Sequence, residues 1–202
     1  MSTKEYNKKV LITGAAGNLG GLLAEYLVET DLYLHLMIHK KDISIDLKNK
    51  KNVHVFKADL SQADSLDECF KEVDVVVHFA GVLFKGNPEK FLPTTNTVYF
   101  KNLLNKAVEA KVKRILLISF PHVEGETTPD APASGRMDKE PVSVHAITRL
   151  EEEKMLMHFE SNYQLEKVSL RLGMVYGRGI LMIEGARWFA KYRLLGIWRK
   201  PT

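Results

Sequence analysis

Three glycines spaced three apart, Gly14, Gly17 and Gly20, close the run Val10-Leu11-Ile12-Thr13-Gly14-Ala15-Ala16-Gly17-Asn18-Leu19-Gly20. Apolar residues precede them. A helical pattern follows at once, with Leu19, Leu22, Leu23, Tyr26 and Leu27 at helical spacing. A strand that turns into a helix through bare backbone can bring amide N–H groups close to a pyrophosphate, and the helix N-terminus favours that negative charge. Gly14, Ala16, Gly17, Asn18, Leu19 and Gly20 are the candidate contacts. The spacing is GxxGxxG and not the GxGxxG of the common dinucleotide fingerprint, so the strand-turn-helix context carries the reading. Without a ligand the same corner would be a tight packing element.

A second cluster bears on which dinucleotide would fit. In such folds a carboxylate at the end of the second strand bonds a ribose 2′-hydroxyl. Here Leu34-His35-Leu36-Met37-Ile38 runs into His39-Lys40-Lys41, with no carboxylate before Asp42. His39 and Lys40 are donors for a 2′-phosphate, which favours NADP over NAD on charge complementarity. As solvated side chains they would favour neither.

Positioning these residues requires a sheet. Strands are expected at Val10 to Thr13, Tyr33 to Ile38, Val53 to Phe56, Val73 to Phe79, Arg114 to Ser119 and Val168 to Leu172. Helical patterns lie between them, near Leu19 to Glu29, Ser65 to Phe70, Thr95 to Ala110 and His145 to Phe159. Ser61 with Asp64 reads as a capping box, and Pro93 suits a first helical turn. Several strands are apolar on consecutive residues, as in Val75-Val76-Val77, which marks a parallel sheet between helix layers. The expected class is α/β, a Rossmann-type doubly wound parallel sheet with helices on both faces. Pro121 to Val142 is a long polar connection after a strand's carboxyl end, where open α/β sheets bind ligands.

The chain has 202 residues, 45% hydrophobic and 27% charged, which suits one domain with a real core. Its 29 basic and 25 acidic residues give a formal charge of +4. The lysine clusters carry no interleaved aromatics, so no nucleic-acid partner is expected. No metal site is expected either. Cys69 is the single cysteine and reads as a buried structural thiol. No apolar run approaches the ~20 residues of a membrane span, and a cytoplasmic setting is the default.

Six landmarks occur in order. They are Thr13-Gly14-Ala15-Ala16-Gly17-Asn18-Leu19-Gly20, Ala58-Asp59-Leu60, His78-Phe79-Ala80-Gly81, Asn96 ahead of Asn102-Leu103-Leu104, Val112-Lys113-Arg114 with the strand ending at Ser119, and Arg171-Leu172-Gly173-Met174-Val175-Tyr176-Gly177-Arg178-Gly179. Together they resemble the extended short-chain dehydrogenase/reductase family, in the branch of NAD-dependent sugar epimerases and dehydratases. The resemblance spans nearly the whole chain. It implies that Asp59 and Leu60 contact the adenine and that Phe79, Ala80 and Gly81 lie under the cofactor. It also implies that Asn96 belongs to the site and that the substrate is a small molecule such as a nucleotide sugar.

The departures bear on chemistry. The family's catalytic pair is Tyr and Lys four apart on a helix, with Glu four further on. Here that register reads His145, Arg149 and Glu153. The i,i+4 spacing puts the pair on one face. Arg149 keeps a permanent charge and donors for ribose hydroxyls, so cofactor binding is expected to survive. His145 is a competent acid/base, but imidazole is shorter than phenol, and proton transfer needs ~3 Å or one bridging water. Lining the pocket is its other reading. The family's next serine or threonine is replaced by Phe120 and Pro121, leaving Ser119, with His122 as a substitute. Two functions stay open: a working oxidoreductase or epimerase, or a catalytically weak dinucleotide-binding sensor or regulatory protein.

The expected division is residues 1–179 as the NAD(P)-binding domain and 180–202 as an apolar segment, either the start of a substrate lobe or an interface. Tyr176, Arg178 and Arg136 are the substrate-side candidates. By resemblance alone, the helices from Thr95 and from His145 are the faces on which a homodimer would form.

Overall fold

Every strand of the single sheet runs parallel to its neighbours in this computed structural model, which describes residues 7–82, 86–177 and 179–193. The strands are β1 (Lys8–Thr13), β2 (Leu32–Ile38), β3 (Val53–Lys57), β4 (Val75–His78), β5 (Arg114–Ser119) and β6 (Glu166–Arg171). Their order is β3-β2-β1-β4-β5-β6, as expected of a Rossmann-type sheet. In register, Thr13 stands beside Met37 on one side and His78 on the other. The order therefore reverses between β1 and β4, and a crevice opens beyond their carboxyl ends.

Successive strand residues point to opposite faces, so a sheet covered on both sides needs apolar residues at every position. One face sets Leu11, Met37, Val76, Ile115 and Leu117 against Phe100, Leu103, Leu104 and Ala107 of α3 (Tyr99–Glu109) and Leu156 of α4 (Val144–His158). The other sets Val10, Ile12, Leu34, Leu36 and Val77 against Ala24 of α1 (Asn18–Leu27) and Leu47 of α2 (Ile45–Lys48). Cys69 is fully buried in the first layer, and burial pushes its thiol up to about 12, so it packs as an inert apolar group.

Several elements differ from expectation. Ser65 to Phe70 is two 3₁₀ turns, Ala63–Leu66 and Glu68–Phe70, and not an α-helix. The expected capping box does not form. Instead the Asp59 carboxylate accepts the Ser61 N–H at 2.8 Å, and the Ser65 hydroxyl donates to the Asp59 and Gln62 carbonyls. These local bonds compete with the helical ladder. β4 is shorter than expected, because Val73 and Phe79 fall outside the ladder. β6 starts earlier and ends at Arg171. The helix expected from Thr95 splits into a π-helical turn, Pro93–Val98, followed by α3. The apolar tail contains a further helix, α5 (Leu181–Lys191), whose Leu181, Met182, Trp188 and Phe189 are exposed. Leu194 to Trp198 lie outside the described residues.

The long connection after β5 is organised around one carboxylate. A 3₁₀ turn, Pro121–Glu124, buries Glu124. Glu124 accepts the N–H groups of Ser134 at 3.1 Å and Gly135 at 2.7 Å, pairs with Arg136 at 3.2 Å, and takes Arg171 Nη1 at 2.5 Å. Arg171 in turn holds Glu153 of α4, with Nη2 2.6 Å from its carboxylate. Loop, sheet edge and helix thus share one buried ionic cluster. Burial alone would raise the Glu124 carboxyl, but the two N–H donors and the two guanidinium groups outweigh it and hold it down at about 2.

A carboxyl that is lowered on folding stabilises the fold above its ordinary value and loses that contribution as pH falls through the folded value. Glu124→Gln should therefore cost about 2–3 kcal/mol near neutral pH. The gap from wild type should shrink as pH falls from 4.5 towards about 2. Urea unfolding of both proteins across that range checks this, and a pH-independent gap would contradict it.

Candidate functional site

The turn after β1 is built on close backbone approach. Gly14 has φ +69°, and a Cβ there would lie 2.8 Å from the Ala80 nitrogen beyond β4. A Cβ on Gly20 would sit 2.5 Å from the Gly14 carbonyl oxygen, and one on Gly17 would sit 3.0 Å from it. The spacing of the three glycines is thus a packing requirement as well as a binding motif. The Gly17 N–H closes the turn on the Gly14 carbonyl at 2.8 Å, and the Gly21 N–H starts the helical ladder on Gly17 at 2.9 Å. No side chain caps α1. The N–H groups of Asn18, Leu19 and Gly20 therefore have no intrahelical acceptor, the arrangement that receives an anion. Ala15, Ala16, Gly17, Asn18, Lys41, Asp42 and Gly179 are among the residues lining a groove of about 440 Å³ beside this turn. The turn with its groove fits a dinucleotide.

Thr13 couples the turn to β4. Its hydroxyl accepts the Ala80 N–H at 3.2 Å and lies 2.8 Å from Nδ1 of His78. His78 is 2% exposed. Burial, with the Arg149 charge nearby, pushes it down to about 3 and keeps it neutral. Phe79 and Ala80 are half-buried and Gly81 is exposed, so the backbone after β4 forms a floor open to the crevice.

α4 brings the second set. Ser143 caps it, its hydroxyl accepting the Ala146 N–H at 3.3 Å. Asn96 is buried in the π-helical turn and donates to the Thr148 hydroxyl at 3.1 Å, while that hydroxyl donates to the Val144 carbonyl at 2.8 Å. This brace fixes the start of α4, where His145 and Arg149 are both half-buried. The Arg149 side chain is 12% exposed. A Cβ on Gly81 would come 3.3 Å from its Nη2, so the guanidinium reaches the end of β4. Ser119 ends β5 with its hydroxyl buried and without a hydrogen-bond partner among the described residues. Such an orphan at the crevice suits a substrate oxygen.

Asp59 faces His39, with Oδ2 and Nε2 3.2 Å apart. The Ser61 N–H, against some burial, holds the Asp59 carboxyl below its ordinary value, with His39 adding to the effect. Lys40 is exposed. Leu60 is half-buried and its carbonyl accepts from Asn102 at 2.9 Å. His122 is exposed and its ring lies 6.0 Å from that of Phe120. Tyr176 is exposed, Arg136 is engaged with Glu124, and Arg178 lies outside the described residues.

Glu152 belongs to none of the motifs that mark the other candidates in the sequence. It is 1% exposed, its Oε2 is 2.7 Å from Arg149 Nη1, and burial pushes its carboxyl up to about 8. The signal was the run Glu151-Glu152-Glu153, whose three residues spread over about 200° of one helix and so reach towards its buried face. Among the described residues no group of His, Cys, Asp and Glu could hold a metal ion, and no helix is long and apolar enough to cross a membrane.

The sequence model of the NAD-dependent epimerase/dehydratase family matches residues 10–189. A trifunctional UDP-glucose 4,6-dehydratase/UDP-4-keto-6-deoxy-D-glucose 3,5-epimerase/UDP-4-keto-L-rhamnose-reductase of Arabidopsis thaliana is 29% identical over 185 residues, covering 84% of this chain and 28% of that protein. An uncharacterised protein of Methanocaldococcus jannaschii is 31% identical, over 94% of this chain and 63% of its own length. Among solved structures, WbmG of Bordetella bronchiseptica in complex with NAD superposes with a TM-score of 0.74 at 23% identity, covering 92% of this chain and 60% of that one. The UDP-glucuronic acid 4-epimerase of Bacillus cereus in complex with NAD gives 0.71 at 24% identity, over 85% and 58%. The chain thus spans 28% to 63% of the length of these relatives. With the family's pattern matched from the strand before the glycine turn into α5, the chain belongs to the NAD-dependent epimerase/dehydratase family.

Proposed function

We propose that this chain is an NAD(P)-binding, epimerase/dehydratase-like oxidoreductase acting at a hydroxyl or keto carbon of a substrate such as a nucleotide sugar. The observation that carries this reading is the convergence at the crevice. The glycine turn is backed against Ala80, the Arg149 guanidinium stands at Gly81, and the orphan Ser119 hydroxyl ends β5. The amides of Asn18 to Gly20 would hold the pyrophosphate, Asp59 and Leu60 the adenine end, and Arg149 the ribose hydroxyls. When bound, the dinucleotide supplies hydride acceptance and donation. Ser119 would hold the substrate oxygen and His145 would carry its proton, directly or through one water. Tyr176, Arg178 and Arg136 would meet the rest of the substrate.

The preference for NADP over NAD belongs to this proposal. His39 is engaged with Asp59, which leaves Lys40 and Lys41, both exposed, as donors for a 2′-phosphate. Pairing of two copies through α3 and α4, and a cytoplasmic setting, belong to it as well. A non-catalytic sensor is the second reading, and the residues that favour it are His145, Phe120 and Pro121 at the family's catalytic positions.

The first of two experiments tests the dinucleotide site that both readings share, and the second separates the enzyme from the sensor. Gly14→Val should weaken NADH and NADPH binding by about a hundredfold or more, roughly 3 kcal/mol, with the fold checked by thermal melting. Retained affinity in a folded variant would remove the glycine turn from the site. His145→Ala should leave that affinity within about threefold while abolishing turnover of UDP-glucose or UDP-glucuronic acid, and His145→Tyr should restore or raise turnover. Binding without turnover in wild type and His145→Tyr alike would support the sensor.

A further inference from the structure

Glu152 lies three residues beyond Arg149, on the buried side of α4. Its Oε2 is 2.7 Å from Arg149 Nη1, yet the alignment is not that of a hydrogen bond, and this oxygen has no hydrogen-bond donor among the described residues. Arg149 is therefore strung between two places. One end of the guanidinium touches Glu152 and the other reaches Gly81 beyond β4. Glu153 is not equivalent, because both its oxygens are taken by Arg171.

The surrounding charges are few. Arg149 and Glu153 share the helix with Glu152. Arg171 of β6 and Glu124 of the turn after β5 lie beyond Glu153 and are bonded to each other. Neutral His78 of β4 lies near Arg149. The π-helical turn packed on α4 presents Asn96, which is uncharged. Glu89 and Lys90 of the neighbouring turn are exposed, and Lys106 of α3 is paired with Asp67 and Glu109.

We propose that Glu152 is a positioning residue for dinucleotide binding: it holds the Arg149 guanidinium at the Gly81 end of β4 and, by gaining or losing one proton, sets how much of the arginine's charge the ligand meets. This rests on the reading of Arg149 as a ribose contact. Burial is the largest influence on Glu152. It drives the carboxyl up to about 8 against the pull of Arg149, with Glu153 adding to the rise. Near neutral pH the group is mostly protonated, and Arg149 presents a full positive charge to the crevice. Above that value the carboxylate forms, neutralises Arg149 and competes with the ribose for its N–H donors. Affinity for the anionic dinucleotide should therefore fall as pH rises.

The test is the Kd of NADH from about pH 6.5 to about 9.5 for wild type and Glu152→Gln, with thermal melting at each pH. NADH lacks the 2′-phosphate and has no group titrating in this range. The wild-type Kd should rise about tenfold, the worth of one charged hydrogen bond, with a midpoint near the folded value of about 8. Glu152→Gln keeps an oxygen for Arg149 but cannot ionise, so its Kd should stay flat at the low-pH value. Melting gives a second readout. A raised carboxyl favours folding below its ordinary value, 4.5, and loses that contribution as pH rises through about 8, so the Gln variant should gain on wild type from the lowest pH of the series up to about 8 and hold that gain above it. Binding with a flat wild-type profile, or the same slope in Glu152→Gln, would overturn the proposal alone. Absence of NADH binding at every pH would overturn the dinucleotide reading and the proposal with it.

Discussion

The approach of Gly14 to Ala80 is the contact on which the rest of the crevice depends. β1 and β4 are neighbours where the strand order reverses, so the chain leaving each must share the same space. Only a residue without Cβ fits, because a Cβ would sit 2.8 Å from a backbone nitrogen that cannot swing away. Thr13 then locks the two segments together through Ala80 and His78. Burial makes the lock durable, since a neutral His78 needs no counter-ion. The result is a rigid corner with helix-end amides on one side and the floor residues Phe79 to Gly81 on the other. Rigidity here matters because backbone donors help an anion only if they are aimed before it arrives.

The other half of the site is positioned by buried charge. Arg171, Glu124 and Glu153 tie the β6 edge, the long loop and α4 into one cluster in which each charge has an opposite partner. Such clusters are poor sources of net stability, because desolvation offsets much of the attraction, but losing one member leaves an expensive uncompensated charge. They therefore fix geometry. α4 is held by this cluster near its middle and by the Asn96–Thr148 bond near its start. His145 and Arg149 lie at and just beyond that start, on a helix with little freedom to shift. Arg149 and Glu152 are the exception to full pairing, since their contact lacks hydrogen-bond alignment.

The sheet, its parallel direction and its position under the glycine turn were legible because they follow from local pattern. Consecutive apolar residues such as Val75 to Val77 demand two covered faces, and Gly14, Gly17 and Gly20 mark a tight corner. The 3₁₀ turns at Ala63–Leu66 and Glu68–Phe70 were not legible, because side-chain bonds from Asp59 and Ser65 outcompeted a helical period that looked adequate. The partners of Glu124 were equally hidden. Arg171 is 47 residues away in sequence, and no period or spacing announces a pairing of that range. Glu152 could have been suspected from three successive glutamates on an amphipathic helix, but its partner and its burial are properties of the fold. The organisation of Pro121 to Val142 around one carboxylate is a tertiary effect of the same kind.

On the proposed reading, the amides after Gly14 receive the pyrophosphate of a nicotinamide dinucleotide. The most direct test of this is a titration of ¹⁵N-labelled protein with NADH, followed through the backbone amide signals. Saturable shifts should concentrate at Gly17, Asn18, Leu19, Gly20 and Gly81, with the far end of the sheet, at Lys8 and Arg114, unmoved. Saturable shifts elsewhere with the glycine turn silent, or no saturable shift at all, would contradict it.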